Sequence, residues 1–210
     1  CSDAREVERV LRVASGNHVE RVTVDGEGGG GGHSPCKMMN EWSYPTIELE
    51  RIVHSYLSEL DREGAWLPAI AMAGGIVFED TAFKALALGA PYVKLVGIGR
   101  ASMAAAMSAD KVGRMIANDT VPEQYKRFGQ TADDIFIEAK ILREIYKDLG
   151  EEIPAGSIGL YSFIQRLSGG LQMMMTLNRK FKLELLEQSD VIPLTRSARE
   201  YLDSLFRKTI

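Results

Sequence analysis

The chain has 210 residues, 45% of them hydrophobic and 26% charged, fractions close to those of folded globular domains, which excludes an intrinsically disordered chain. A formal net charge of -4 supplies no broad positive field for a polyanion, so nucleic acid is not expected as a partner, whereas a small anionic ligand needs only one local site. Cys1 and Cys36 are the only cysteines, no apolar run approaches the ~18 residues of a spanning helix, and Cys1 to Glu6 has neither a basic nor an apolar signal-like region; the expectation is a cytoplasmic protein with no membrane contact and no disulfide framework.

Val7, Val10, Leu11 and Ala14 recur at spacings of three and four, which predicts a helix from Asp3 to Ala14 that Gly16 and Asn17 end. Arg21 to Asp25 reads as a short β-branched strand that runs into Gly26-Glu27-Gly28-Gly29-Gly30-Gly31-Gly32-His33-Ser34-Pro35. After Pro45, Thr46 reads as an N-cap with Glu48 and Glu50 in the first turn, where the helix dipole favours acids, and Ile52, Val53, Tyr56, Leu57 and Leu60 as the buried stripe up to Gly64. Leu67 to Ala73 reads as a strand covered on both faces, closed by Gly74-Gly75.

Asp80 and Thr81 open the next predicted helix, which Gly89 ends as a C′ glycine. Tyr92 to Val96 reads as another buried strand, followed by Gly97-Ile98-Gly99-Arg100 and by a helix of small and flexible side chains from Ala101 to Ala117. Three strand-loop-helix units joined by short turns call for parallel strands with right-handed crossovers. Beyond Asp119 the pattern is helical: Ile135 to Leu149 with period 3.6, then Leu160 to Leu167, Leu171 to Leu186 and Ser197 to Phe206, with Ser168-Gly169-Gly170 as a joint.

Glycines immediately after a strand let main-chain N–H groups approach a ligand with no Cβ in the way, and they accept the positive φ values that build anion-binding concavities. The arrangement occurs at Gly28 to Gly32, at Gly74-Gly75 and at Gly97/Gly99, each time at the carboxyl end of a predicted strand, the end where parallel α/β folds bind ligands and where barrels cradle phosphate. The first run also reads as a flexible linker. Arg100 could add a fixed charge to a phosphate, or stand as a surface arginine on a first helical turn.

His33 is the one candidate for proton transfer, against an ordinary loop histidine. Its spacing from Cys36 suits two metal ligands, but no second Cys/His pair lies nearby, so no zinc site is expected. Asp25 and Glu27 flank the first loop, where strand-end carboxylates usually meet water. Lys94 lies within a strand and its face is not fixed by parity alone. His54, inside a helix, reads as structural, and Met173-Met174-Met175 as packing surface.

The segments Val24 to Pro35, Ala73-Gly74-Gly75-Ile76 and Lys84-Ala85-Leu86-Ala87-Leu88-Gly89-Ala90, in this order and spacing, resemble the C-terminal part of the FMN-binding domain of glutamate synthase, and Leu142-Arg143-Glu144 with Arg179-Lys180-Phe181 resemble the helical end of single-domain members. The resemblance implies a (β/α)8 barrel that holds FMN at the carboxyl ends of its strands and reduces the imine formed from 2-oxoglutarate and ammonia. Carried over position by position, Gly74, Gly75, Gly97, Gly99 and Arg100 would cradle the FMN phosphate, and Gly29, Gly30, Gly31 and Gly32 would border flavin and substrate.

This chain departs from the family in several places. A histidine, His33, follows the glycines where the family has a hydroxyl-bearing residue, Ala73 stands where an acid often precedes the glycine pair, and Ala101 to Gly113 lacks the cysteines of an iron–sulfur centre. Only about three of eight barrel strands are found, and a complete barrel takes about 250 residues. The expected architecture is therefore the C-terminal part of a TIM (β/α)8 barrel over residues 1–118 with a helical extension over 119–210, the remaining strands coming from a second chain or a missing N-terminal part. The alternatives are a noncatalytic phosphate- or flavin-binding assembly subunit, and a different phospho-ligand barrel enzyme.

Overall fold

The computed structural model describes residues 4–27, 33–37, 41–147 and 153–206. Helix α1 (Ala4–Gly16) precedes β1 (Arg21–Asp25), which is followed by α2 (Thr46–Arg62), β2 (Ala69–Ala73), α3 (Glu79–Leu88) and β3 (Val93–Gly97). The strands form a three-stranded sheet in the order β1-β2-β3, parallel throughout, with Asp25 beside Ala73 and Ala73 beside Gly97. The alternating strands and helices expected from the sequence are thus present as a small parallel α/β sheet. Contacts divide the chain into two compact units, Cys1–Ile98 with Leu171–Ile210, and Gly99–Gly170.

In the first unit, Val22 and Val24 alternate with exposed Arg21, Thr23 and Asp25, and Ile70 and Met72 alternate with half-buried Ala69, Ala71 and Ala73. The apolar set packs with Leu11 of α1 and Leu49, Val53 and Leu57 of α2, all of them almost completely buried. Cover on both faces was expected of β2 and β3; instead β2 is fully buried only on alternate residues, and β3 leaves Lys94 and Leu95 exposed where its register to β2 shifts. Val10, placed by its spacing on the buried face of α1, is 54% exposed and lines an open groove shared with Val22 to Asp25 of β1.

Two of the glycines expected to end helices, Gly64 and Gly89, act differently. Gly64, with φ of +67°, is a left-handed terminator after α2. Gly89 keeps a right-handed helical φ of -82°; what it supplies is space, since a Cβ there would lie 2.6 Å from both Val93 Cβ and Glu50 Oε1.

The end of the chain belongs to this first unit rather than to a separate extension. Met175 and Leu186 enter the main core, Leu202 packs on Leu88, and the Gln188 side chain donates to the Leu88 carbonyl at 2.8 Å. The boundary anticipated at residues 118 and 119 therefore does not coincide with either edge of the observed units.

The second unit holds α4 (Arg100–Ala117), the short helices α5 (Glu123–Lys126), α6 (Ala132–Ile135) and α7 (Ala139–Ile145), and most of α8 (Ala155–Leu177). The alanines of α4 let α8 approach its backbone: a Cβ on Gly156 or on Gly159 would stand 3.1 Å from the carbonyl oxygens of Ala106 and Ala105 respectively. The single helix predicted from Ile135 to Leu149 is broken, because Phe136 is extended with φ of -103° and ψ of 108°; Ile145 and Tyr146 are exposed, and Leu149 lies outside the described residues. Conversely, Gly169-Gly170 is not a joint. One helix runs through it and stops at Leu177, and Leu183–Leu185 is a separate 3₁₀ turn.

Candidate functional site

The strand tips of the first unit approach one another through contacts that require glycine. The amide of Gly26 donates to the Ala73 carbonyl at 2.9 Å, extending the β1–β2 ladder, and that of Glu27 donates to the Tyr44 carbonyl at 2.8 Å, closing the first loop on its own end. Thr46, expected as the N-cap of α2, is its first helical residue, and its hydroxyl donates to the Gly74 carbonyl at 2.7 Å. Gly74 has φ of +109° and leaves no room for a side chain: a Cβ would lie 2.7 Å from Thr46 Oγ1 and 2.8 Å from the Gly26 nitrogen.

Gly75 contrasts with it. Its φ is +70°, but the nearest atom to a Cβ there would be Glu27 O at 3.8 Å. The amides of Gly75 and Ile76 have no acceptor among the described residues. Consecutive main-chain amides at a turn, without acceptors of their own, are the kind of donor that anion-binding concavities use.

Behind this tip, between α2 and α3, lies a cavity of about 230 Å³. Gly74, Gly75, Thr46, Thr81, Lys84 and Glu50 line it together with an apolar wall that includes Ile76 and Leu88. Lys84 is held by Asp80 at 2.8 Å, and the lysine's hydrogen bond keeps the Asp80 carboxyl below the usual carboxylate range. Thr81 is engaged locally: its hydroxyl donates to the Phe78 carbonyl at 2.7 Å and accepts from the Phe78 amide at 3.2 Å.

Glu50 is the unusual member. Only 4% of it is exposed, its Oε1 has no hydrogen-bond partner, and burial pushes its carboxyl up to about 8, so at neutral pH it is mostly uncharged. The one carboxyl among the cavity's lining residues is therefore mostly neutral near pH 7, and the lining lysine is paired with Asp80 outside it.

Among the residues read from the sequence as ligand-binding, Gly74 and Gly75 line the cavity, and Gly97 stands beside Ala73 at the same end of the sheet, where a Cβ would come within 2.9 Å of Ala73 Cβ. Gly99 and Arg100 are exposed at the start of α4, in the second unit, and neither lines the cavity. Gly29, Gly30, Gly31 and Gly32 lie outside the described residues. His33 is exposed in a turn, and Cys36 is exposed with a free thiol. His54 is structural, as expected: Nε2 faces the Ala90 carbonyl at 3.1 Å and the ring meets Tyr92 edge-on. Burial lowers its pKa, partly offset by that carbonyl.

Glu50 and Lys84 were not singled out as site residues by sequence reasoning. A signal for Glu50 was present, since it stands three residues before Val53, seven before Leu57 and ten before Leu60, on the apolar stripe itself. Among the described residues no group of three or more His, Cys, Asp or Glu side chains could hold a metal ion, and no helix is long and apolar enough to cross a membrane. No protein-family model, no curated protein and no solved structure matches the chain.

Proposed function

We propose that this chain is the C-terminal part of the flavin barrel of an FMN-dependent oxidoreductase of glutamate synthase type, whose substrate is 2-oxoglutarate or a glutamate-like acid. The observation that carries the reading is the pair Gly74 and Gly75, two consecutive positive-φ glycines at the carboxyl end of a central parallel strand, with the amides of Gly75 and Ile76 without an acceptor among the described residues. The family resemblance, carried by the same residues, supplies the identity of the ligand.

The residues present fit a phosphoryl group. Gly75 has open space where a side chain would stand, Lys84 adds positive charge, and the buried Glu50 carboxyl is mostly neutral near pH 7. In this reading Gly74 and Gly75 hold the phosphate with Gly97 beside them. The same role for Gly99 and Arg100, and the flavin border for Gly29 to Gly32, rest on the resemblance alone. Bound flavin would supply hydride transfer, while the protein positions it and its substrate. His33 is the candidate proton donor.

Two features support further polypeptide beside this sheet. Parallel sheets normally have both faces covered, yet Ala69, Ala71 and Ala73 are only half-buried and Leu95 is 44% exposed. The outer edge of β1 is also unpaired among the described residues, a position proteins usually protect. The missing barrel strands, from a second chain or from the rest of a longer one, would cover both.

The test is titration of the purified chain with FMN, followed by flavin fluorescence and by melting temperature, with inorganic phosphate as competitor. Saturable binding that phosphate weakens and Gly75→Ala reduces is the expected result. Stabilisation by phosphate or another phospho-ligand with no response to FMN would favour the noncatalytic subunit or the different phospho-ligand enzyme instead.

A further inference from the structure

Glu50 lies where three elements of the first unit meet, and one of them comes from the far end of the chain. On α2, the Ile47 carbonyl, one turn before Glu50, accepts the hydroxyl of Tyr201 at 2.5 Å. That tyrosine belongs to α9 (Arg196–Phe206). On α3, Leu88 packs against Leu202, and its carbonyl accepts Gln188 at 2.8 Å. Next to it Gly89 lies so close to Glu50 Oε1 that a Cβ would come within 2.6 Å. The segment 188–203 thus straps Ile47 and Leu88, both in the cavity wall, and helps enclose a carboxyl whose Oε1 has no partner.

We infer that this C-terminal strap is a proton-gated latch on the cavity wall, seated while Glu50 is protonated and released when it ionises. An unpaired carboxylate is tolerated only with water around it, and α9, which contributes no strand to the sheet and reaches the wall through the Tyr201 hydroxyl and Leu202, is the element assigned to move. Burial raises the carboxyl from its ordinary 4.5 to about 8, so the latch loosens progressively as pH rises between those values. The inference goes beyond the flavin reading and is independent of it, since it concerns how the wall opens and not what enters.

The other charged and titratable groups around Glu50 are accounted for. On α2, Glu48 is paired with Arg51 at 3.2 Å, and His54, one turn further on, has its pKa lowered by burial and so changes charge below the pH at which the folded Glu50 carboxyl does. On α3, Lys84 is held by Asp80. In the strap, Asp190 faces Lys180 at 3.5 Å, Glu200 pairs with Arg196 at 2.8 Å and Asp203 is exposed. Tyr201 keeps its proton through this range, because burial first, then the charges of Glu50 and Glu48, raise its pKa.

Hydrogen exchange of the α9 amides, expressed as protection factors at pH 6, 7.5 and 9, tests the latch on the full chain. For the wild type, protection should fall by up to tenfold per pH unit as pH rises toward about 8 and level off above it, so the loss lies between pH 6 and 7.5 rather than beyond pH 8. Glu50→Gln should keep it level within about twofold over the same range. Glu50→Met, apolar and of similar length, should be level too and gives the same reading if the glutamine variant fails to fold. Equal pH profiles in wild type and variants, whether flat or falling, would overturn the inference.

Discussion

The Thr46 hydroxyl ties the first turn of α2 to the tip of β2 by donating to the Gly74 carbonyl at 2.7 Å. Because Gly74 has φ of +109° and no space for a side chain, this one bond fixes how the glycine pair is presented. Thr46→Val keeps the shape and removes the donor. It should cost about 1 kcal/mol, read as a lower urea midpoint at unchanged slope, whereas Thr46→Ser should stay within a few tenths of the wild type.

Gly74 and Gly75 should respond differently to alanine. At Gly74 the new methyl would press on Thr46 Oγ1 and the Gly26 nitrogen within 2.8 Å, so Gly74→Ala should combine clash with backbone strain and cost more than about 2 kcal/mol. At Gly75 the space is open and only φ of +70° is unfavourable, so about 1 to 2 kcal/mol is expected. Its methyl would, however, add bulk at a residue that lines the cavity and whose amide has no acceptor among the described residues. Gly75→Ala should therefore weaken phosphate or FMN binding more than it lowers the melting temperature, and an unchanged affinity would remove the glycine tip from the proposed site.

How legible this was differs by residue type. The period-2 and period-3.6 patterns found the strands and the helices of the first unit, because burial is what those patterns encode. The tips were legible for a similar reason, since glycine after a strand has few other uses. Glu50 was read from its position in the first turn, where an acid meets the helix dipole, although it also falls on the stripe of Val53 and Leu57; local electrostatics and tertiary burial gave competing readings, and burial prevailed. The packing of the tail was not legible, because Met175 and Leu186 join a cluster whose other buried members run from Val7 to Val93, a partnership no local pattern reports. A local start signal was also missed: Thr131 and Asp134 form a capping pair that opens the helix at Ala132, with the Thr131 amide and hydroxyl both donating to Asp134 Oδ2.

Glu50 also predicts how stability depends on pH. Its carboxyl rises from an ordinary value of 4.5 to about 8 on folding, so between those limits the unfolded chain releases a proton that the folded chain retains. Fewer protons bound in the unfolded state means stability declines as pH rises from about 4.5 to about 8. Glu50→Gln should remove this decline. The variant should match or fall slightly below the wild type at pH 5 and exceed it by on the order of 1 to 3 kcal/mol at pH 8, as measured by urea unfolding at each pH.

Within α8, two positions separate Met175, 8% exposed in the core of the first unit, from Leu177, 81% exposed. If the tail is part of that core, Met175→Ala should cost about 2 to 4 kcal/mol and leave one cooperative unfolding transition for the unit, because the cavity it opens is shared with the sheet. Leu177→Ala should change stability by no more than about 0.5 kcal/mol. An independent appendage would behave otherwise. The methionine variant would then lose the tail in a separate, earlier transition while the sheet melted at its original temperature, which calorimetry distinguishes directly.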